Sequence, residues 1–185
     1  MDYNDKHKIF VTSDTHFGHT KTITDFIFRP FSSVEEMDEK MIENWNNVVG
    51  NKDTIFHLGD FAFQNPKSYT AKLNGQIHII PGNHDRVQKL KRANFACIHD
   101  QIVLLKFTYE GEKKEVVLCH YPLLSWNKRH YGVPHLFGHI HTGASNRDFD
   151  KYNQITPLKG SYDVGVDNNN YTPLDILEAM NLANL

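Results

Sequence analysis

Cysteine is nearly absent from this 185-residue chain. The two present, Cys97 and Cys119, are too few for a disulfide-built secreted scaffold, so a reducing, cytoplasmic setting is the expectation. Cys119 closes the apolar run Val116-Val117-Leu118 and reads as a small core hydrophobe. No stretch approaches the roughly 20 apolar residues that a membrane span needs. The opening residues Asp2-Tyr3-Asn4-Asp5-Lys6 carry no apolar signal region. Excess charge of one sign is also missing. Lys plus Arg number 20 and Asp plus Glu 22, a net charge of −2, so there is no broad basic field for non-specific nucleic-acid binding. With 11 Gly, 7 Pro and 39% hydrophobic residues, disordered, collagen-like and low-complexity classes are excluded. A chain this long fits one domain over residues 1–185. What it has in excess is histidine, with 12.

Short apolar runs alternate with helix-like segments. Ile9 to Val11 reads as a first strand, and Thr54 to Leu58 and Ile77 to Ile80 as the next two. Residues 33 to 49 read as a helix, with Ser32 and Glu35 spaced as a capping box and Gly50 as its stop. Val34, Met37, Met41, Trp45 and Val48 would form its apolar face. Asn65-Pro66 opens a second helix that Gly75 closes, and residues 86 to 93 suggest a third. Beyond them, Ile102 to Tyr109 and Glu115 to Cys119 flank the charged run 110 to 114 as a hairpin with a solvated tip. Val133 to Phe137 and Tyr162 to Val166 are further strand candidates, and Thr172-Pro173 would open a terminal helix. An α/β protein with mixed sheets fits both halves.

Five apolar runs each end in metal-competent polar residues: Asp14-Thr15-His16, Gly59-Asp60, Gly82-Asn83-His84-Asp85, His120-Tyr121-Pro122 and Gly138-His139-Ile140-His141. In open α/β sheets, sites lie beyond the carboxyl ends of the strands, so one shared site would collect all five. Asp14 and His16 are two apart, as are His139 and His141; in extended chain each pair projects to one side, where it can grip one ion. Adjacent Asn83 and His84 should point different ways, one to metal and one to substrate. Imidazole with carboxylate and amide oxygen suits Mn, Fe, Zn, Ni or Co rather than Ca or Mg alone. Asp14, His16, Asp60, Asn83, His120, His139 and His141 are too many for one tetrahedral ion and about right for two sharing a carboxylate. Paired ions roughly 3.5–4 Å apart are a recurring device for in-line displacement at phosphorus. The ions would make the site locally positive in an acidic chain.

The series D-T-H, G-D, G-N-H-D, H-Y-P and G-H-I-H, in this order over residues 9 to 141, resembles the calcineurin-like metallophosphoesterase superfamily. The tail Val164-Gly165-Val166-Asp167 resembles a closing strand of its small bacterial and phage members. The resemblance implies a four-layer α/β/β/α sandwich with two mixed sheets. It implies two divalent transition-metal ions, drawn from Mn, Fe, Ni or Zn. Asp14, His16, Asp60 and His141 would hold one, and Asp60, Asn83, His120 and His139 the other, with Asp60 bridging. It further implies a hydrolase in which a metal-bridging hydroxide attacks a phosphomonoester or phosphodiester. His84 matches the histidine that contacts the phosphate and assists the leaving group, and Asp85 the acid that orients it.

The remaining candidates are plainer. His57 lies inside its apolar run and reads as a core residue or a support for the ligands. His19, Arg29 and Arg86 are candidate substrate contacts, since a monoester needs its extra charge held. Arg129 and His130 lie after the His120 loop, and Trp126 there reads as packing rather than a stacking platform for a base. His7, His78, His99, His130 and His135 read as ordinary polar residues. With few insertions between motifs, the site should be a shallow open groove, compatible with nucleotides, cyclic nucleotides, nucleic-acid ends or phosphoproteins, and the expected partner is a phosphorylated small molecule or nucleotide. A non-catalytic interaction scaffold on the same fold predicts eroded ligands, and none is eroded here. A metallohydrolase of amides is a third reading that direct assay decides.

Overall fold

The computed structural model describes residues 2–4, 6–25, 29–143 and 156–184. Among these residues two mixed sheets of five strands form an α/β sandwich. The first sheet has β2 (Ile9–Thr12), β3 (Thr54–His57), β4 (Gln76–Ile79) and β5 (Cys97–Ile98) in parallel order, with β10 (Leu174–Asp175) antiparallel on the outer edge of β2. Parallel neighbours need crossovers. These carry α1 (Lys21–Thr24) and α2 (Val34–Val48), then α3 (Pro66–Thr70), then α4 (Val87–Leu90). The second sheet runs β1 (Asp2–Tyr3), β6 (Ile102–Tyr109), β7 (Glu112–Cys119), β8 (His135–Phe137) and β9 (Ser161–Asp163).

Alternation along the strands splits the core in two. Ile9, Val11, Phe56 and Leu58 of the first sheet meet Leu105, Phe107, Val116, Leu118 and Leu136 of the second. A terminal helix, α5 (Ile176–Ala183), inserts Ile176, Ala179 and Ala183 into that layer. On the other face of the first sheet, Phe10, Ile55, Ile77 and Ile79 pack against Met37, Met41 and Trp45 of α2, Tyr69 of α3 and Leu90 of α4. Strands buried on both faces read as continuous apolar runs, as these do.

Several element boundaries differ from the sequence reading. Ser33, not Ser32, is the N-cap of α2: its hydroxyl accepts from the Glu36 amide at 3.1 Å, while the Glu36 carboxylate accepts from the Ser32 amide at 2.8 Å. The box is displaced by one residue because Met37, Met41 and Trp45 must face the sheet. Val48 consequently points outward and Val49 takes its place in the core. Asn65-Pro66 caps α3 as expected, with the Asn65 carboxamide accepting from the Lys67 amide, but the helix ends at Thr70, well before Gly75. The hairpin tip is only Glu110-Gly111, both at positive φ (50° and 79°), as a two-residue type I′ turn requires. Lys113 and Lys114 therefore belong to β7, paired with Thr108 and Phe107. Pro173 precedes β10, and Asp175 caps the last helix by accepting from the Leu177 amide.

Candidate metal centre

Parallel β2, β3 and β4 release their C-terminal ends at one edge, as β7, β8 and β9 do in the second sheet. The emerging loops are zipped together by backbone hydrogen bonds. Asp14 N–H donates to Gly59 C=O and His16 N–H to Asp60 C=O, each at 3.0 Å, and Gly138 N–H donates to His120 C=O at 2.9 Å. A bridge between Ser13 and Gly165 joins the two sheets here. The five segments that the sequence singles out thus converge at one place.

The ligand side chains reach it by an unusual backbone. Asp14 (φ 58°), His16 (49°), Asp60 (54°), His139 (73°) and His141 (49°) all occupy the left-handed region. For non-glycine residues this region is uncommon and each visit costs of order 1 kcal/mol or more. Five such residues in one cluster mark a site whose geometry the surrounding fold enforces. The extended-chain reasoning about spacing is corrected accordingly. Asp14 and His16 do share a cluster, but His139 and His141 separate into different ones, because a left-handed step, unlike an extended one, turns the chain between them. Glycine makes the close approach possible. A Cβ on Gly138 would collide with the Ser13 hydroxyl and the Asp14 carboxylate, and one on Gly59 (φ +100°) with the backbone of Gly82.

Two groups of ligand atoms result, Asp14 with His16 and His141, and Asp60 with His120 and His139; within each, the atoms lie within 4.8 Å of one another. Asp60 Oδ2 stands between the groups, 3.7 Å from His16 Nε2 and 3.6 Å from His120 Nε2. Asp14 Oδ1 is 3.8 Å from both His16 Nε2 and His141 Nε2. Such separations exceed hydrogen-bond range, and Asp14 Oδ1 and both His16 ring nitrogens are buried without a hydrogen-bond partner. A buried polar atom left unpaired costs roughly 1–3 kcal/mol. Carboxylate and imidazole atoms facing one another across a gap suit a cation bound by nitrogen and oxygen.

The remaining atoms of these side chains are tied down. Each carboxylate commits one oxygen to a backbone amide and presents the other: Asp14 Oδ2 accepts from His139 N–H at 2.8 Å, and Asp60 Oδ1 from His84 N–H at 2.9 Å. His120 Nδ1 bonds the Leu58 carbonyl at 2.7 Å, which directs Nε2 inward, 3.0 Å from Asn83 Oδ1. His141 Nδ1 meets Asp167 Oδ2 at 2.7 Å. Partners of this kind fix the tautomer and aim of a ligating imidazole.

Electrostatics agrees with a site built for cations. Burial pushes the carboxyls of Asp14 and Asp60 up to about 6. Burial holds His16 well below its usual range, and burial with His120 brings His139 down to about 4, so both imidazoles are neutral and available as ligands at pH 7. Burial works against charge on His141, but Asp14 and Asp167 outweigh it and raise its pKa.

Other expected residues land elsewhere. Arg29 is corrected from a substrate contact to a buried brace. Its guanidinium pairs with Asp167 through Nε and Nη2, both at 2.8 Å, and donates to the carbonyls of Thr15 (2.8 Å) and Asp14 (2.6 Å). All its donors are turned inward, so none faces a ligand. Asp85 is corrected too. Rather than orienting the His84 ring, its carboxylate accepts from the amides of Asp60, Phe61 and Gly82 at 2.7–3.1 Å, clamping two site loops. His84 and Asn83 diverge as expected: Asn83 turns to His120, while the His84 ring, half exposed, stands 5.7 Å from His16 and 4.0 Å (Nε2) from Asp60 Oδ2. His19 stacks on Phe63 at 3.5 Å between centroids. Phe63, His84, Arg86 and Lys89 line a cavity of about 300 Å³ beside Asn83. His57 is buried against the Thr15 hydroxyl at 2.9 Å, and Trp126 packs on His135 and donates to the Val133 carbonyl. Arg129 lies over the Trp126 ring.

Sequence reasoning missed the parts played by Asp163, Asp167 and Phe63. Asp163, at the end of β9, accepts from the Thr142 amide and hydroxyl and from the Gly165 amide, fixing the loop after His141. The sequence reading runs this strand on to Val166, which hides Asp163 inside it; the strand ends at Asp163, a sixth strand end beside the other five.

The calcineurin-like phosphoesterase superfamily domain matches residues 8–157. An uncharacterized protein of Methanocaldococcus jannaschii is 36% identical over 174 residues, covering 91% of this chain and 87% of that one. The gene 66 protein of Mycobacterium phage L5 is 25% identical over 159 residues, covering 71% and 76% respectively. A solved protein of unknown function from Aquifex aeolicus shares the fold, with a TM-score of 0.68 at 23% identity over 95% of this chain and 99% of that one. With the domain match spanning most of its length, the chain belongs to the calcineurin-like phosphoesterase superfamily.

Proposed function

We propose that the chain is a hydrolase that cleaves a phosphomonoester or phosphodiester at a dinuclear centre. One observation carries the dinuclear reading: Asp60 Oδ2 lies nearly equidistant from His16 Nε2 and His120 Nε2, one in each ligand group. Asp14, His16, Asp60 and His141 would hold one divalent ion, and Asp60, Asn83, His120 and His139 the other. When bound, the pair would supply Lewis acidity and lower the pKa of a coordinated water from about 15.7 towards about 7. Nitrogen and oxygen donors suit Mn, Fe, Ni or Zn.

The chain's own residues do the rest. His84, half exposed and beside the ligand groups, would donate to a phosphoryl oxygen and protonate the departing alkoxide. Asp85 acts through backbone: it holds the Asp60 and Gly82 loops, and the His84 amide grips Asp60 Oδ1. The cavity beside His84 would take the rest of the substrate, with Arg86 and Lys89 facing phosphate charge and Phe63, stacked on His19, offering an aromatic wall. That wall favours a phosphorylated small molecule or nucleotide. The intact ligand set weighs against the scaffold reading.

Metal-stripped protein reconstituted with Mn²⁺, Ni²⁺ or Zn²⁺ should hydrolyse p-nitrophenyl phosphate or its bis-ester, and a panel of nucleotides and diesters then ranks substrates. Asp60→Ala and Asn83→Ala should abolish turnover and lower bound metal. His84→Ala should cut turnover about 100-fold or more with metal retained. Full activity of metal-loaded His84→Ala on a poor leaving group would remove that role, and fewer than two ions per wild-type chain would remove the dinuclear reading.

A further inference from the structure

We propose a third metal site, separate from the two groups above, formed by His78, Cys97 and His99 and suited to zinc or a similar borderline-soft divalent ion. His78 lies on β4 with Ile77 and Ile79 packed towards the helices, so its side chain leaves from the opposite face. Cys97 sits directly across from it in the parallel ladder of β5. Ile98 packs with Ile77 and Ile79, so Cys97 and His99, on either side of it, leave from the same face as His78. The ring nitrogens His78 Nδ1 and His99 Nε2 are 2.9 Å apart, and Cys97 Sγ lies within 4.8 Å of ligand nitrogens on both.

The nitrogen spacing is near that around a bound ion. Zinc–nitrogen bonds of about 2.0–2.1 Å in a tetrahedron put two nitrogens about 3.3 Å apart, and a zinc–sulfur bond of about 2.3 Å puts sulfur about 3.6 Å from each. Rotation of the part-buried side chains would widen the nitrogen pair by the few tenths of an ångström required and draw in Cys97 Sγ from within 4.8 Å. Without metal, one of the two facing nitrogens donates to the other. On binding, that proton would move through solvent to the outer nitrogen of the same ring, and the Cys97 thiol would release its hydrogen to solvent as the metal–sulfur bond forms. One proton is lost in all, and both imidazoles end neutral with their protons on His78 Nε2 and His99 Nδ1. Two nitrogens and a thiolate select zinc-class ions over the hard cations Mg²⁺ and Ca²⁺. All three residues are half buried rather than sealed, which leaves a fourth position for water. The ion would fasten the two-residue strand β5, at the edge of its sheet, to β4.

Sulfur makes the test specific, because none of the phosphoesterase ligands carries it. Metal-free protein titrated with Co²⁺ should develop a near-ultraviolet thiolate-to-cobalt band. Cys97→Ser and His99→Ala should lose the band, Cys119→Ser should keep it, and Cys97→Ser should keep its phosphoesterase activity. Absence of the band in wild type at excess Co²⁺, or its survival in Cys97→Ser, overturns the proposal. The unmodified chain offers an independent reading should a variant misfold. Zn²⁺ should slow iodoacetamide alkylation of Cys97 about tenfold or more, reversibly by chelation, since the free thiolate is the reacting species. Equal rates with and without Zn²⁺ would likewise overturn it.

Discussion

At the scale of single residues, the centre is made by withholding hydrogen bonds. Asp14 and Asp60 each satisfy one oxygen with a backbone amide and keep the other free, Asp14 for its own ligand group and Asp60 for the gap between the two. That arrangement depends on groups never adjacent in sequence. Asp167 aims His141, and Arg29 neutralises Asp167 while tying up the carbonyls of Asp14 and Thr15. The nearby guanidinium and His141 overcome burial and hold the Asp167 carboxyl well below the usual carboxylate range. Removing either charge strands the other in the interior, so Arg29→Ala or Asp167→Ala should each cost about 3–5 kcal/mol in denaturant unfolding. A loss below about 1 kcal/mol would show the pair to be exchangeable with solvent. Nothing in the run Arg29-Pro30-Phe31 separates a buried brace from a substrate clamp. The partner that decides is 138 residues away.

At the scale of elements, local chemistry set the type of each segment and tertiary packing set its ends. The three- and four-residue steps of Val34, Met37, Met41 and Trp45 were enough for a helix. Whether Ser32 or Ser33 caps it depends on which rotation buries those residues against Phe10 and Ile55. Ser33→Ala should therefore lower stability by about 1 kcal/mol, whereas Ser32→Ala, which leaves the Ser32 amide bonded to Glu36, should change it by less than about half that. Thermal unfolding of the two variants distinguishes the cap registers, and the reverse order would restore the Ser32 box. The two-residue hairpin has the same origin: Glu110-Gly111 adopts the turn, and the cross-strand register then draws Lys113 and Lys114 into β7.

At the scale of the molecule, the proposed centre would couple stability to metal and pH. Metal would take the deprotonated ligands, and burial raises the Asp14 and Asp60 carboxyls to about 6 in the fold against 3.8 ordinarily. In the metal-free chain these two carboxyls contribute stability that is present below 3.8 and lost as pH rises through about 6. Bound metal would reverse the sign, since protons would compete with it as pH falls through that value, and His141, raised above its ordinary 6.5, would compete from higher still. The Tm gained with excess Mn²⁺ should thus be full near pH 8 and shrink steadily towards pH 5. Ions at about 100 times Kd give about 2.7 kcal/mol per site to lose. A gain flat across this range would contradict the protonation of these carboxyls. Using the difference between loaded and metal-free protein cancels buried groups outside the centre, such as His57, held by burial at about 3.

Residue order alone was enough to pick out the candidate ligands: five strand runs ending in Asp, Asn and His, with glycines at 59, 82 and 138, put groups fit to bind a cation beyond the carboxyl edge of a sheet, because strand and polar end are covalent neighbours. It was also enough for the α/β class, since apolar periodicity is a local property. Which carboxylate faces which ring came only through the family resemblance, and nothing in the sequence told that the backbone there is left-handed, that Asp85 clamps loops, or that His78, Cys97 and His99 meet. Each of these follows from strand register and sheet-to-sheet contact, which bring together residues that the chain keeps far apart.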